Sequence, residues 1–368
     1  MKRIIFQAYD TLFFKEARPM DGFGGSQLKG TFPPPVRTMA GALRTLIGDQ
    51  HGVNWSKFTS DSSSYADLRT LIGDATSYGR LTFGLTTLKY KGTRLYPAPR
   101  HLVFRDSTIS KMEIGDAIET DMGRVRFPIL PTTNTKERFA PLPEGSWIDE
   151  AGLREVLNGG VPEKFYQSDE LFLAESRIGI ARDNTTRTVR EGMLYQTAHI
   201  RPQTSLEVEL EVDGLSDLPP SGLCRLGAEG RFASWRIEPG STRPQASKPH
   251  GLLLGVTLIA LTPVLAEPHW SIGVATKDGT QSFINEYNDV QFRIVSACVG
   301  RSVREGGFDI ASGKSRAASS YLPAGSIWFC EIDSNIPIEE AVKRLDGMRI
   351  GGETELGRGI LACGFWTK

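Results

Sequence analysis

Along the first residues Ile4, Phe6 and Ala8 recur at a spacing of two, the period of a half-buried strand, and the chain runs on toward Phe13 and Phe14. A glycine-rich loop, Gly22 to Gly25, follows, and Phe32-Pro33-Pro34-Pro35 then leads into Val36, Met39, Ala40, Leu43 and Ile47. That second spacing is helical, and proline in the first turn is tolerated because its missing N–H would have no partner there. Later, Leu206, Val208, Leu210 and Val212 alternate with Glu207, Glu209 and Glu211, which predicts a strand with one solvated face. Four short apolar runs, 252–261, 290–299, 326–332 and 360–365, read instead as buried strands. Between the last two, Ile338, Ala341, Val342 and Leu345 predict a helix. Pro337 starts it, Glu339 and Glu340 occupy its first turn, Lys343 and Arg344 its last, and Asp346-Gly347 lie beyond, all in accord with capping and the helix dipole.

Serine-rich residues 56–67 predict a surface insertion, and the Pro and Gly breaks of 80–147 suit hairpins and long loops. Strands with few helices imply an α+β architecture with antiparallel sheet. At 368 residues the chain exceeds what one core usually organises, so two domains of similar size are expected. Polar, proline-bearing stretches at 213–222 and 239–249 are the linker candidates, with the boundary anywhere between residues 140 and 250.

The 43 basic side chains equal the 43 acidic ones, so any polyanion site must come from local clustering. The opening MKRIIFQAYD is too briefly apolar for a signal peptide and no run approaches a membrane span, which predicts a cytoplasmic protein. Cys224, Cys298, Cys330 and Cys363 lie far apart, without the paired spacing of a zinc site, and read as buried thiols. The histidines His51, His101, His199, His250 and His269 form no metal-ligand pair, so neither metal nor cofactor is expected.

Two segments carry candidate chemistry. Arg177, Arg182, Arg187 and Arg190 face a single acid, Asp183, within 177–190, a local excess of three in a neutral chain. Asn184, Thr185, Thr186 and Thr188 interleave hydrogen-bonding groups suited to phosphates and base edges, and arginine stacks on unpaired bases. The plain alternative is a solvated hairpin. Near the C terminus, Gly351, Gly352, Gly357 and Gly359 place four glycines in nine residues beside Arg349 and Arg358. Without Cβ atoms, consecutive N–H groups there can face a phosphate backbone, although a tight turn also accounts for them.

Enzyme signatures come close and fail. Gly307 to Ser315 resembles a P-loop, but five residues separate its glycines, no clear strand precedes it and no helix follows. Ser26 and Lys29 form a Ser-x-x-Lys pair that Gly30 and Pro33 keep from a helix. The adjacent carboxylates Asp169 and Glu170 splay apart in any regular element.

These segments together resemble a known family. Thr11-Leu12-Phe13-Phe14-Lys15-Glu16-Ala17-Arg18-Pro19, then Phe32-Pro33-Pro34-Pro35 with Thr38 and Gly41-Ala42-Leu43-Arg44, and the C-terminal glycine loop are similar to the third subunits of type III-B CRISPR Cmr complexes. So are Arg177-Ile178-Gly179-Ile180, Thr186-Arg187-Thr188, Glu191-Gly192-Met193-Leu194-Tyr195 and Pro323-Ala324-Gly325-Ser326, in the same order along nearly the whole chain. Leu226-Gly227-Ala228-Glu229-Gly230-Arg231 resembles a Leu-Gly-Gly-Glu-Gly-Arg stretch, with Ala228 in place of a glycine. A positive φ at that position would conflict with the alanine methyl.

The resemblance implies membership of the RAMP superfamily and two ferredoxin-like, RNA-recognition-type βαββαβ modules with long insertions, 1–205 and 206–368, the second bearing the glycine loop. It also implies a non-catalytic RNA-binding subunit that holds the repeat-derived 5′ tag of the guide RNA (crRNA). Its implied partners are the large polymerase-like subunit and the first backbone RAMP subunit. Carried over residue by residue, the candidate RNA contacts are Arg18, Gly24 and Gly25, Arg37 and Arg44 on the first helix, and Arg177, Arg182, Asn184, Arg187, Arg190, His199 and Arg231. Arg349, Gly351, Gly352, Gly357, Arg358 and Gly359 complete the set. The rival is a guide-RNA-processing RAMP endoribonuclease, with His199 as general base.

Overall fold

The computed structural model describes residues 1–16, 27–58, 60, 63–120, 123–131, 139–215, 218–265, 284–309 and 313–368. Arg18, Gly24 and Gly25, with the loop around them, lie outside the described residues. The architecture is mixed α+β, mostly strand, and divides into two compact units. Each unit is assembled from separated segments. Met1–Gly92, Asp169–Ser241 and Arg304–Ser320 form the first, and Thr93–Ser168, Thr242–Val303 and Tyr321–Lys368 form the second.

In the first unit β1 (Lys2–Ala8) is followed by α1 (Val36–Gln50), β2 (Thr82–Tyr90), a long hairpin of β3 (Phe172–Arg182) and β4 (Val189–Pro202), then β5 (Leu206–Asp213), β6 (Ser221–Arg225) and β7 (Phe232–Pro239). Five of these strands make an antiparallel sheet in the order β2-β5-β1-β7-β6. A single cut at residue 205 therefore does not separate the units, because β5 is held by β1 through pairs such as Ile4↔Leu210.

Alternation in β1 and β5 sorts the side chains onto two faces. Ile4 and Phe6, level with Leu210 and Val208, are buried, and α1 buries the expected stripe Val36, Met39, Ala40, Leu43 and Ile47. The opposite face is the one the glutamates were expected to leave solvated. It is instead a lattice of ion pairs. Arg3 reaches Glu209 at 2.8 Å and Glu238 at 3.1 Å, and Arg236 reaches Glu207 at 2.7 Å and Glu238 at 2.9 Å. Glu209 is only 1% exposed, so its charge depends on Arg3 and on Lys89 at 3.7 Å.

The second unit is built on β8 (Leu253–Ala260), β9 (Ile284–Tyr287), β10 (Val290–Cys298), β11 (Ile327–Ile332) and β12 (Leu361–Thr367), in the antiparallel order β9-β10-β11-β8-β12. Two helices belong to it, α2 (Glu150–Leu157) and α3 (Ile338–Leu345). The buried Ala341, Val342 and Leu345 of α3 join Val256, Leu258, Trp328 and Phe365 in one core. α2, whose first turn is capped by Asp149 accepting from the Gly152 N–H, approaches the other face so closely that a Cβ on Gly364 would meet the Leu157 backbone at 2.8 Å. Cover on both faces explains why β12 reads as an unbroken apolar run, buried at every position.

The polar insertion at 56–67 is partly folded in. Phe58 is buried against the rings of Trp55 and Tyr65. The expected hairpins between 80 and 147 are present as Leu102–Arg105 with Thr108–Lys111 and Glu113–Thr120 with Gly123–Ile129. In the P-loop-like segment Phe308–Asp309 pairs with Lys314–Ser315, a hairpin where a nucleotide site would need a helix.

Candidate nucleic-acid interface

The arginine cluster lies on the β3–β4 hairpin of the first unit. Its base is anchored: Gln203 donates to the Leu171 carbonyl at 2.8 Å, Leu12 and Ile200 exchange backbone bonds of 2.8 Å, and the Phe172 ring packs on Phe32 at 4.7 Å. At the tip, Asp183 Oδ1 accepts from the N–H groups of Thr185 and Thr186 at 2.8 and 2.9 Å, which closes the turn. Arg187 sits there at φ +58° and donates its N–H to the Asp183 carbonyl. Arg182, Asn184 and Arg187 are all exposed, and neither arginine has an ion pair among the described residues. Arg190 falls in β4, with its side chain outside the described set. One face of the hairpin is apolar and open: Ile178 is 73% exposed, with Ile180 and Leu194 beside it.

At the hairpin's root three arginines converge on one carboxylate. Asp10 meets Arg201 at 3.1 Å, Arg177 at 3.3 Å and Arg231 at 3.6 Å. Burial pushes the Asp10 carboxyl up, but the Thr11 N–H and the charges of Arg201 and Arg177 outweigh it and hold the group below the usual range. Glu175 binds both Arg201 and Arg177, which lowers its pKa as well. Arg231 continues to Glu229 at 3.9 Å, and Glu229 accepts from His199 Nε2 at 2.9 Å. That bond leaves Nδ1 of the neutral ring to accept from the Thr11 hydroxyl at 3.1 Å.

His199, expected as an RNA contact or as a general base, is turned inward. Its ring has no exposed surface, lies flat on Phe13 at 5.0 Å, and has both nitrogens occupied. Burial pushes its pKa down, against the pull of Glu229. A histidine held in this way presents no unengaged ring nitrogen to a ligand. The turn that supplies Glu229 has positive φ at Gly227, Glu229 and Gly230 but not at Ala228, so the alanine there is unstrained.

Arg37 and Arg44 lie seven residues apart on one side of α1 and converge on Tyr78. Arg37 donates to the Tyr78 hydroxyl at 3.0 Å, while Arg44 lies 5.4 Å from the ring centre and donates to the Asp74 carbonyl at 2.6 Å. They fasten α1 to the 74–78 loop, half-buried, rather than standing free as RNA contacts.

The glycine loop, in the second unit, is also more occupied than expected. The N–H groups of Gly352, Gly357 and Gly359 donate to the carbonyls of Leu265, Thr354 and Pro263, each at 3.0 Å. Three of the cradle's amides are thus turned inward. Arg358 is 3% exposed, with its guanidinium 4.5 Å over the Tyr321 ring and Nε 3.9 Å from Glu353. Gly357, Arg358 and Gly359 are interior, whereas Gly351 and Arg349 remain exposed.

The sequence match is decided across the whole chain. A family model described as CRISPR-associated protein (Cas_Cmr3) matches residues 4–366. The chain belongs to the Cas_Cmr3 family. A curated relative, the CRISPR system CMR subunit Cmr3 of Saccharolobus solfataricus, is 28% identical over 269 residues, which is 70% of each chain. Among solved structures, a chain of the type III-B Cmr-beta complex bound to cognate target RNA and AMPPnP is similar at 18% identity and a TM-score of 0.48, covering 89% of this chain and 86% of that one. A chain of the Csm3–Csm4 subcomplex of a type III-A interference complex has a TM-score of 0.35 at 12% identity, covering 92% and 96%.

In this Cas_Cmr3 chain the cysteines are buried as expected, and burial pushes Cys224 up to about 11 and Cys298 up to about 12, which keeps them as thiols. Asp10, Glu175, Arg201 and Glu229 were not among the sequence candidates. Glu175 and Arg177, two apart on a strand, were a local signal, but Asp10 joins them across some 165 residues of chain and has none.

Proposed function

We propose that this chain is a non-catalytic RNA-binding subunit of a type III-B Cmr ribonucleoprotein, holding the repeat-derived 5′ tag of the guide RNA at the β3–β4 hairpin. The observation that carries the reading is the hairpin tip, where Arg182, Asn184 and Arg187 stand exposed on an Asp183-closed turn with no acid neutralising the two arginines among the described residues. Exposed guanidinium groups beside amide and hydroxyl groups are the chemistry that engages phosphates and unpaired bases.

The strand orders support RAMP-type, ferredoxin-like modules. With β1, β2, β5 and β7 taken as first to fourth, the first sheet runs 2-3-1-4, and β8, β10, β11 and β12 give the second sheet the same order. α1 follows the first strand in one unit and α3 the third in the other. The non-catalytic reading is favoured by the engagement of His199 and by the buried thiols. The open apolar face at Ile178, Ile180 and Leu194 fits contact with a neighbouring protein subunit, either the large polymerase-like one or the first backbone one, in the cytoplasm.

Co-expression with neighbouring genes, purification through this chain and sequencing of the bound RNA test the reading. Short RNAs sharing one repeat-derived 5′ end are expected. Purification of the intact protein assembly without RNA, or with RNA of random ends, would overturn it.

A further inference from the structure

At the outer end of the first unit's sheet, one rung across three adjacent strands carries Tyr9, Phe232 and Arg225. Arg225 lies level with Phe232 in the β6–β7 register. The β1–β7 register ends with Ala8 level with Ala233, and the Tyr9 N–H donates to the Phe232 carbonyl at 3.1 Å, which extends the pairing by one. Neighbouring strands stand about 4.8 Å apart, so the three side chains sit side by side.

All three are open. Tyr9 is 79% and Phe232 46% exposed, Arg225 is exposed, and among the described residues neither ring packs on another ring and Arg225 has no ion pair. Two positions along, on the same face, lie Gln7, Ser234 and Leu223. Further along this face Arg3, Glu209, Arg236 and Glu238 are bound into an ion-pair lattice, so the face changes character at the aromatic rung. Asp10, the residue after Tyr9, is the carboxylate that gathers Arg177, Arg201 and Arg231.

We infer that Tyr9, Phe232 and Arg225 form a stacking platform for one unpaired nucleobase of the guide RNA. The inference rests on the RNA-binding reading above and adds a second contact to it. Open aromatic faces beside a free guanidinium, with amide and hydroxyl groups on the neighbouring rung, match single-stranded base recognition. A protein hot spot would instead be expected to surround its aromatics with apolar neighbours, and of Gln7, Ser234 and Leu223 only Leu223 is apolar.

The test uses the assembled complex and synthetic guide RNAs carrying a single 2-aminopurine, moved through the unpaired positions. One position should be quenched by stacking in the wild type and regain fluorescence in Tyr9→Ala and Phe232→Ala, with affinity lowered about 5- to 150-fold per variant. Tyr9→Phe, which keeps the ring, should restore both. If both alanine variants keep wild-type quenching and affinity while Arg182→Ala weakens RNA binding, the platform is overturned and the hairpin site stands. If the alanine variants shed a protein subunit from the complex with RNA affinity unchanged, the rung is a protein contact and the inference is again overturned. Absence of guide RNA from the wild-type complex sinks both readings.

Discussion

In the first unit Arg182 and Arg187 stand exposed at a turn with no ion pair among the described residues, whereas in the second Arg358 is folded inward onto Tyr321 with Glu353 close to its Nε. All three arginines come from glycine- or threonine-rich, polar stretches that read alike as candidate contacts. What separates them is the backbone. The hairpin is paired strand to its tip and ends in a two-bond Asx turn that turns side chains outward. The glycine loop is stitched by its own amides to Leu265 and Pro263 and turns its cation in. A positively charged residue in a loop is therefore open to a ligand only where the surrounding N–H groups leave it outside.

The sharpest way to break that comparison is to unlock the second loop. Gly359 has φ +67° and a Cβ there would run into the Ile350 carbonyl. Gly359→Ala is expected to destabilise the chain by about 3 kcal/mol or more, from left-handed strain and backbone collision together. Chemical denaturation measures it. A midpoint within error of wild type would show that the loop is slack and its amides available.

A second test compares the two buried histidines. Burial, with Lys111 adding to it, pushes His101 down to about 3, and burial also lowers His199. The unfolded chain, with a histidine pKa near 6.5, takes up these protons first as pH falls. Stability contributed by the neutral rings is therefore complete above about pH 6.5 and declines below it, for His101 continuing to about 3. Between pH 7 and pH 5 the loss from His101 should be about 2 kcal/mol. His101→Leu should flatten that limb. His199→Gln should flatten it less, because Glu229 offsets the burial there.

The strands β1, β5, β8, β10, β11 and β12 and the helices α1 and α3 were legible because each has one dominant period or an unbroken apolar run, whereas β2, β6, β7 and α2 were not read from the sequence. Alternation in β5 marked a sheet with two unlike faces, and the unbroken run of β12 marked one covered on both sides. The fate of the alternate glutamates was not legible. Their partners, Arg3 and Arg236, lie on strands remote in sequence, and no local pattern says whether a charge meets water or a guanidinium. The interior position of His199 escaped for the same reason, since Phe13, Thr11 and Glu229 reach it from both ends of the unit. The hairpin tip was legible because it depends only on its own residues.

Exchanging alanine for arginine on each side of the comparison should separate stability from binding. Arg358→Ala removes a buried cation from the Tyr321 ring and one of the charges beside Glu353, which also accepts from the Tyr321 hydroxyl at 2.9 Å. About 1–2 kcal/mol of stability should go, with the RNA content of the folded complex unchanged. Loss of RNA at full stability would instead show that Arg358 turns outward in the assembly.

The smallest effects belong to the hairpin tip, where the reverse pattern is expected. Arg182→Ala and Arg187→Ala remove exposed side chains without ion pairs among the described residues, so each should shift stability by no more than about 0.5 kcal/mol. Their signature is in RNA binding. An arginine that neutralises one phosphate contributes about 0.7 to the slope of log affinity against log salt on single-stranded RNA, and its loss weakens tagged and scrambled sequences equally. An arginine that stacks on or hydrogen-bonds a base costs about 1–3 kcal/mol when removed and erodes discrimination between the two sequences. Arg187 is held at φ +58° at the end of the turn while Arg182 still lies in the β3 ladder, so the two side chains leave the hairpin on different backbone geometries. One is therefore expected to show each behaviour, read by salt titration of tagged and scrambled RNA on the assembled complex. If neither variant alters affinity, slope or discrimination, the hairpin tip is a solvated arm or a protein contact, and the contrast between an outward and an inward arginine loses its functional meaning.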